Sequence, residues 1–308
     1  MANKWDFSVV DQEKLKALGI SSFESDIRRF SEAELREHFG AKSSGRIMLR
    51  PLFRAAIFQH YERVESGVDS GGGNLRSIWY RVLKPILSHM KDDDAHKMDP
   101  YQVMIRVFSE LVVEHGLFRY SDLKVDDEQW EERRIGVKKP NVVVFAEKRG
   151  WVRFLREINE EFDVTSLALG GFPSAVTSEY TALHVGRAMR RKLPVHLIGI
   201  VDYDPSGKWI AETFKKHLEA FGLEVASMLT LVDPKHFDPV DIEIFRFPLP
   251  GGQGSKNEGW ISEGGGIAGE AFGLEAESMD RGLVRELVGR EIEGLENGSS
   301  NLIRPIDP

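Results

Sequence analysis

From residue 141 onward the chain alternates short apolar runs with amphipathic stretches, and two of the apolar runs end in acid. Asn141-Val-Val-Val-Phe-Ala146 is β-branched and apolar on both faces, the pattern of a strand covered on both sides. Trp151–Phe162 keeps helical spacing, Val164–Leu169 reads as a strand, Gly170-Gly-Phe-Pro173 as a turn and Thr177–Arg191 as a helix. Val195–Val201 is a further strand, Pro205–His217 a helix and Val225–Leu231 another strand. Strands separated by helices on short connections predict a parallel α/β sheet with right-handed crossovers. Ligands of such sheets bind beyond the carboxyl ends of the strands. There the sequence places Glu147, directly after the first strand, and Asp202 and Asp204, after Val195–Val201. If those strands are neighbours, three carboxylates converge, and their repulsion raises their pKa values unless a cation relieves it. A hard, oxygen-seeking ion such as Mg²⁺ suits that donor set, and phosphate-ester chemistry is what such an ion serves. Singly, each acid also fits ordinary turn and capping sequence.

The first half reads differently. Residues 8–39 have the spacing of amphipathic helices, and Met48–His60, Leu75–Met90 and Pro100–His115 continue it. Ser66-Gly-Val-Asp-Ser-Gly-Gly-Gly73 is a connector and Lys91-Asp-Asp-Asp a polar break. Leu117–Val125, after Gly116, is expected to form a short hairpin wing, so the order helix, helix, helix, wing predicts a winged-helix module. Towards the other end, Pro250–Gly269 reads as a loop and Leu283–Leu295 as a final helix. The net charge of -8 is unevenly spread: residues 1–140 hold 23 Lys+Arg against 23 Asp+Glu, and 141–308 hold 18 against 26. Between Arg28 and Lys84 the count is 11 basic to 6 acidic, which suits a DNA-facing module, although a solvated basic face gives the same count. With no cysteine, disulfides, thiolate metal sites and thiol nucleophiles are excluded. No apolar run approaches the ~18 residues of a membrane span, and Met1-Ala-Asn-Lys-Trp lacks the apolar core of a signal peptide. A cytoplasmic protein without membrane contact is expected.

Glu147-Lys148 after a strand, Leu169-Gly-Gly-Phe-Pro173, and Leu193-Pro-Val before a strand that ends in Asp202-Tyr-Asp-Pro-Ser-Gly207 together resemble the Toprim domain of the topoisomerase VI A subunit and the related meiotic double-strand-break protein. Phe272-Gly-Leu-Glu-Ala-Glu-Ser278 is similar to that family's C-terminal acidic-apolar segment. Asn74-Leu-Arg-Ser-Ile-Trp-Tyr80 resembles its winged-helix motif, in which a catalytic tyrosine follows an arginine by four residues. The resemblance covers roughly residues 45–295 and implies a helical extension over 1–45, a winged-helix DNA-binding domain over 46–138 and a Rossmann-like Toprim domain with a C-terminal extension over 139–308. It further implies that Tyr80 attacks a phosphodiester of duplex DNA to leave a 5′-phosphotyrosyl link. Glu147, Asp202 and Asp204 of the other protomer of a homodimer would hold Mg²⁺, and a GHKL-type ATPase B subunit would be the partner. Arg76, one helical turn before Tyr80, is placed to clamp the phosphate. Ser77 and Trp79 stand where the family usually has an acid and a tyrosine. Gly170-Gly171 lack its intervening lysine, and Ser178 stands near the position of its arginine. The loss of those cations predicts a weaker grip on DNA phosphate.

Other residues carry less. His184 and His196 have no second histidine at metal spacing, His89 and His96 flank an aspartate run, and Gly251-Gly-Gln-Gly-Ser-Lys256 fails the phosphate-loop spacing. Two functions compete with strand passage. One is hydrolysis by a Toprim nuclease like that of Wadjet-type plasmid-defence systems; the other is a DNA-binding scaffold without catalysis.

Overall fold

The computed structural model describes residues 49–87, 99–251 and 254–297; the expected N-terminal helices over 8–39, the polar break at residue 91, His89 and His96 lie outside them. The chain forms two compact units, Met1–Glu128 and Gln129–Pro308.

The described part of the first unit is helical. α1 (Leu49–Glu65) packs on α4 (Pro100–Ser109), and between them in sequence run α2 (Leu75–Ile78), a π turn (Trp79–Leu83) and α3 (Lys84–Leu87). A second π turn, Glu110–Glu114, extends α4. Phe53, Ile57, Ile78, Leu83, Met104, Phe108 and Leu111 are fully buried and form the core. Asn74 starts α2, its side chain accepting the Ser77 N–H, which satisfies one of the unpaired donors of a helix start. Leu117–Val125, expected as a hairpin, is a succession of turns: Asp122 N–H bonds Arg119 O, Lys124 N–H bonds Ser121 O and Val125 N–H bonds Tyr120 O. Phe118, Tyr120, Leu123 and Val125 are all buried. Their 2-3-2 spacing breaks the strict alternation a half-buried strand needs, and Lys124 at φ 57 turns the backbone left-handed. No hairpin wing exists among the described residues of this unit.

The second unit is an α/β layer structure. β1 (Lys139–Ala146), β2 (Val164–Ala168), β3 (Val195–Ile200) and β4 (Val225–Thr230) form a parallel sheet in the order β2-β1-β3-β4. The helices are α5 (Val152–Phe162), α6 (Ala175–Ala188), α7 (Pro205–Ala220), α8 (Pro239–Phe245), α9 (Gly254–Ser262) and α10 (Arg281–Asn297). Val142, Val144 and Ala146 of β1 face one way, into a core with Phe154, Leu155 and Ile158 of α5 and Val284, Leu287 and Val288 of α10. Val143 and Phe145 face the other way, and the Phe145 ring meets Phe214 of α7 at 4.9 Å. The sheet order reverses direction between β1 and β3, because the chain leaves β1 for one neighbour and returns to the other side. Right-handed crossovers then put helices on both faces and open a crevice at that switch point. Residues 129–138 belong with this unit: Arg134 pairs with Ser166 of β2 through both backbone bonds, and buried Arg133 reaches Thr181 and His184 of α6. A short antiparallel pair, β5 (Arg246–Pro248) and β6 (Phe272–Leu274), completes the unit. No described helix is long and apolar enough to cross a membrane.

Candidate metal centre

β1 and β3 are hydrogen-bonded neighbours with Ala146 opposite Ile200. Their ladder continues one step further, Glu147 N–H bonding Ile200 O at 3.1 Å. Glu147 and Asp202 therefore leave the sheet side by side, at the switch point. The backbone of Asp202 donates a hydrogen bond to the Glu147 carboxylate, yet Glu147 Oε2 is buried and has no partner among the described residues. Burial first, and then the charge of Asp202, push the Glu147 carboxyl above its ordinary range, with Asp204 adding to the effect. Asp202 is raised too, chiefly by burial, against the lowering pull of the Ala276 N–H and of Lys148.

Asp204 is placed differently. It is the N-cap of α7, and its Oδ1 accepts the Gly207 N–H at 2.6 Å. One of its oxygens is thus committed to the helix start, while its charge still acts on Glu147.

Two acids absent from the sequence-derived set join the cluster. The Tyr203–Leu274 bridge, Tyr203 N–H to Leu274 O at 2.8 Å and Leu274 N–H to Tyr203 O at 3.2 Å, draws the segment after β6 against the loop after β3. Ala276 N–H then bonds Asp202 Oδ1 at 2.8 Å, with Ala276 buried and its neighbours Glu275 and Glu277 turned outward. Asp202, Glu275 and Glu277 each present a carboxylate oxygen within 4.8 Å of the other two. Lys148 sits among them: its Nζ lies 3.1 Å from Asp202 Oδ2 and 2.8 Å from Glu277 Oε2, and also bonds Glu275. Partial burial alone would lower the Lys148 pKa, but these hydrogen bonds outweigh it and hold the ammonium charged well above the ordinary lysine range. The signal in the sequence was the repeat of one pattern. Glu275-Ala-Glu277 after a short apolar run mirrors Asp202-Tyr-Asp204, but only the bridge through Tyr203 brings the two together.

Tyr80 and Arg76 belong to the first unit. Tyr80 lies in the π turn and is 52% exposed, with Lys84 Nζ 4.9 Å from its ring centroid. Arg76 and Arg81 are exposed as well, and Arg81 donates to Gly72 O at 2.6 Å. Trp79, the preceding residue, is turned inward against Phe53 and Tyr101. The histidines set aside from sequence have structural partners: His196 Nδ1 pairs with Ser227 Oγ at 2.7 Å, and His184 with Arg133.

The donor set at the sheet rim is all carboxylate, the set that hard divalent ions take, and a buried carboxylate oxygen with no partner among the described residues fits a cation. Neither the protein-family models nor the curated proteins searched contain a match to the chain.

Proposed function

We propose that the protein is a Mg²⁺-dependent DNA-cleaving enzyme similar to the A subunit of topoisomerase VI, in which a tyrosine forms a 5′-phosphotyrosyl link to duplex DNA. The observation that supports this reading is the pair Glu147 and Asp202 at the ends of adjacent parallel strands, with Glu147 Oε2 buried and unpartnered among the described residues. Glu147 and Asp202 would hold the ion, with Glu275 and Glu277 at its outer side and Asp204 contributing charge. When bound, a divalent ion there supplies charge neutralisation at the phosphate and the departing oxygen. Lys148 would leave its place among the carboxylates and carry its ammonium toward the DNA phosphate.

Tyr80 fits the nucleophile because its phenol is open to solvent in a basic surround. Its oxygen would attack phosphorus, the bond from phosphorus to the 3′ oxygen would break, and the freed 3′-hydroxyl would take up the proton that the phenol gives to solvent. Arg76, Arg81 and Lys84 would hold the phosphate while this happens. The described helical unit is the DNA-facing module in this reading. A homodimer and a GHKL-type ATPase partner complete it, the first so that the tyrosine of one protomer meets the acids of the other.

The test is trapping of protein–DNA adducts on plasmid DNA in Mg²⁺ with detergent quenching. Wild type is expected to form an adduct that Tyr80→Phe loses, and Glu147→Gln and Asp202→Asn to reduce strand breaks by about 100-fold or more. Breaks that persist in Tyr80→Phe without any adduct would replace this reading with hydrolysis. Duplex binding without breaks in any divalent ion would leave a scaffold.

A further inference from the structure

The opposite end of the sheet carries a charge pattern that the acid rim does not explain. Between Glu179 and Asp202 there is no acidic residue, and Arg187, Arg190, Arg191 and Lys192 fall within six positions. All four are exposed, Arg187 in the last turn of α6 and the other three in the connection from α6 to β3. Among the described residues, none of the four has an ion-pair or hydrogen-bond partner for its side chain. Single cations elsewhere in this unit, Arg156, Lys216, Lys256 and Arg290, also lack one, but nowhere else do four lie within six positions, and many others are paired. Lys208 pairs with Glu263, Lys215 with Glu219 at 3.9 Å, and Arg285 with both Glu157 and Glu161. Like charges so close together repel one another, and in a chain of net charge -8 nearby carboxylates would be the ordinary remedy. Glu224, whose backbone carbonyl accepts the Val195 N–H at the end of this connection, is not among their partners.

The turn is also held in place. Asn141 Nδ2 donates to Pro194 O at 2.9 Å, and Val195 N–H bonds Glu224 O at 2.7 Å, so the cations project from an anchored backbone. Met189 and Leu193 are half-buried, and Pro194, though exposed, is a small ring whose carbonyl is tied to Asn141, so no large apolar side chain of the turn is exposed to enter a lipid surface. An anchored, unneutralised group of guanidinium and ammonium heads without an apolar wedge matches a run of phosphates.

We propose that the Arg187–Lys192 turn is a second contact with the backbone of duplex DNA, independent of base sequence, on the flank of the segment that lies at the acid rim. The proposal rests on the proposed function only in taking duplex DNA as the substrate. The spacing fits: the six residues of β3 at about 3.3 Å each put the turn about 20 Å from the acids, and α6, 14 residues long, spans the same distance beside it. That is about six base-pair steps of 3.4 Å.

The experiment is fluorescence anisotropy of a labelled 30-base-pair duplex of mixed sequence with the full-length protein, in Ca²⁺ and over a series of salt concentrations. Arg190→Gln/Arg191→Gln/Lys192→Gln is expected to weaken binding about tenfold or more and to make the slope of log K against log salt shallower by about 2 to 3. Lys216→Gln/Lys256→Gln, which removes two exposed lysines elsewhere, is expected to leave the slope nearly unchanged. Circular dichroism verifies the fold of both. Wild-type affinity and slope in the triple variant overturn the proposal, as does a loss seen with phosphatidylserine vesicles and not with DNA. Plasmid cleavage by wild type in Mg²⁺, assayed beside binding, separates the two readings: if wild type does not cut DNA but binding still depends on the turn, the contact stands and the cleavage reading falls. If wild type cuts and the triple variant binds normally, only the contact falls.

Discussion

Asp204 illustrates how one side chain answers to two demands. As the N-cap of α7 it satisfies a backbone N–H that would otherwise be left open, and as a charge it adds to the repulsion felt by Glu147. Asp204→Ala is expected to cost about 1 kcal/mol through loss of the cap, measured by urea unfolding. Asp204→Ser keeps an acceptor for Gly207 and is expected to recover most of that stability. If cleavage is lost in Asp204→Ser at wild-type stability, the carboxylate acts at the metal site and not only at the helix start. The places of Glu147, Asp202 and Asp204 beyond the strand ends were legible in the sequence because each ends or follows a strand, but that Asp204 caps α7 was one of two readings the sequence allowed. Lys148, Glu275 and Glu277 were not legible as members of the cluster. Their meeting depends on a contact between the loop after β3 and a segment some 70 residues later, closed by Ala276 N–H on Asp202, and no local spacing encodes that.

At the scale of elements, β1 and β3 were readable because burial on both faces writes a nearly continuous apolar run into the chain. The expected wing was not there. Phe118, Tyr120, Leu123 and Val125 are core residues of the helical unit, and their uneven spacing, with Arg119, Asp122 and Lys124 exposed between them, is that of consecutive turns and not of a strand. The π turn at Trp79–Leu83 was also invisible, since a helix widened by one residue keeps the same composition. It bears on the proposed nucleophile, because π turns are frequent at functional sites and this one presents Tyr80 outward while Trp79 packs inward. Within the sheet, Gly199 of β3 is required by its neighbour: a Cβ there would lie 2.8 Å from Cζ of the Phe145 ring. Gly199→Ala is expected to destabilise the protein by about 1–3 kcal/mol through overpacking, read by chemical denaturation. Adding Phe145→Leu opens the space and is expected to return part of the loss; a double variant no more stable than Gly199→Ala would mean that the strain lies in the backbone of β3 instead.

For the molecule as a whole, buried ionisable groups of opposite behaviour set how stability responds to pH. His217 of α7 is buried near Ser178 Oγ, and burial, aided by Lys216, lowers its pKa to about 4 from the ordinary 6.5. The unfolded chain therefore binds this proton more readily than the folded one, so the stability it contributes is complete above pH 6.5 and is lost as pH falls toward 4. That loss amounts to at most about 3 kcal/mol. His60 in the first unit, lowered mainly by burial, has the same sign. Glu147 and Asp202 act in the opposite sense. Their pKa values are raised, so the stability linked to them is complete below the ordinary carboxylate range and declines as pH rises through their folded values. His217→Leu is expected to flatten the acid limb of the stability curve between pH 6.5 and 4, with thermal unfolding as the measurement. Glu147→Gln is expected to raise stability at pH 7 and to change it little at pH 4. Mg²⁺ should do the same for the wild type, because an ion among those carboxylates removes the repulsion that ionisation creates and has little to hold once they are protonated. Stabilisation by Mg²⁺ that is equal at pH 4 and pH 7, or that survives in Glu147→Gln/Asp202→Asn, would place the ion away from the switch point between β1 and β3.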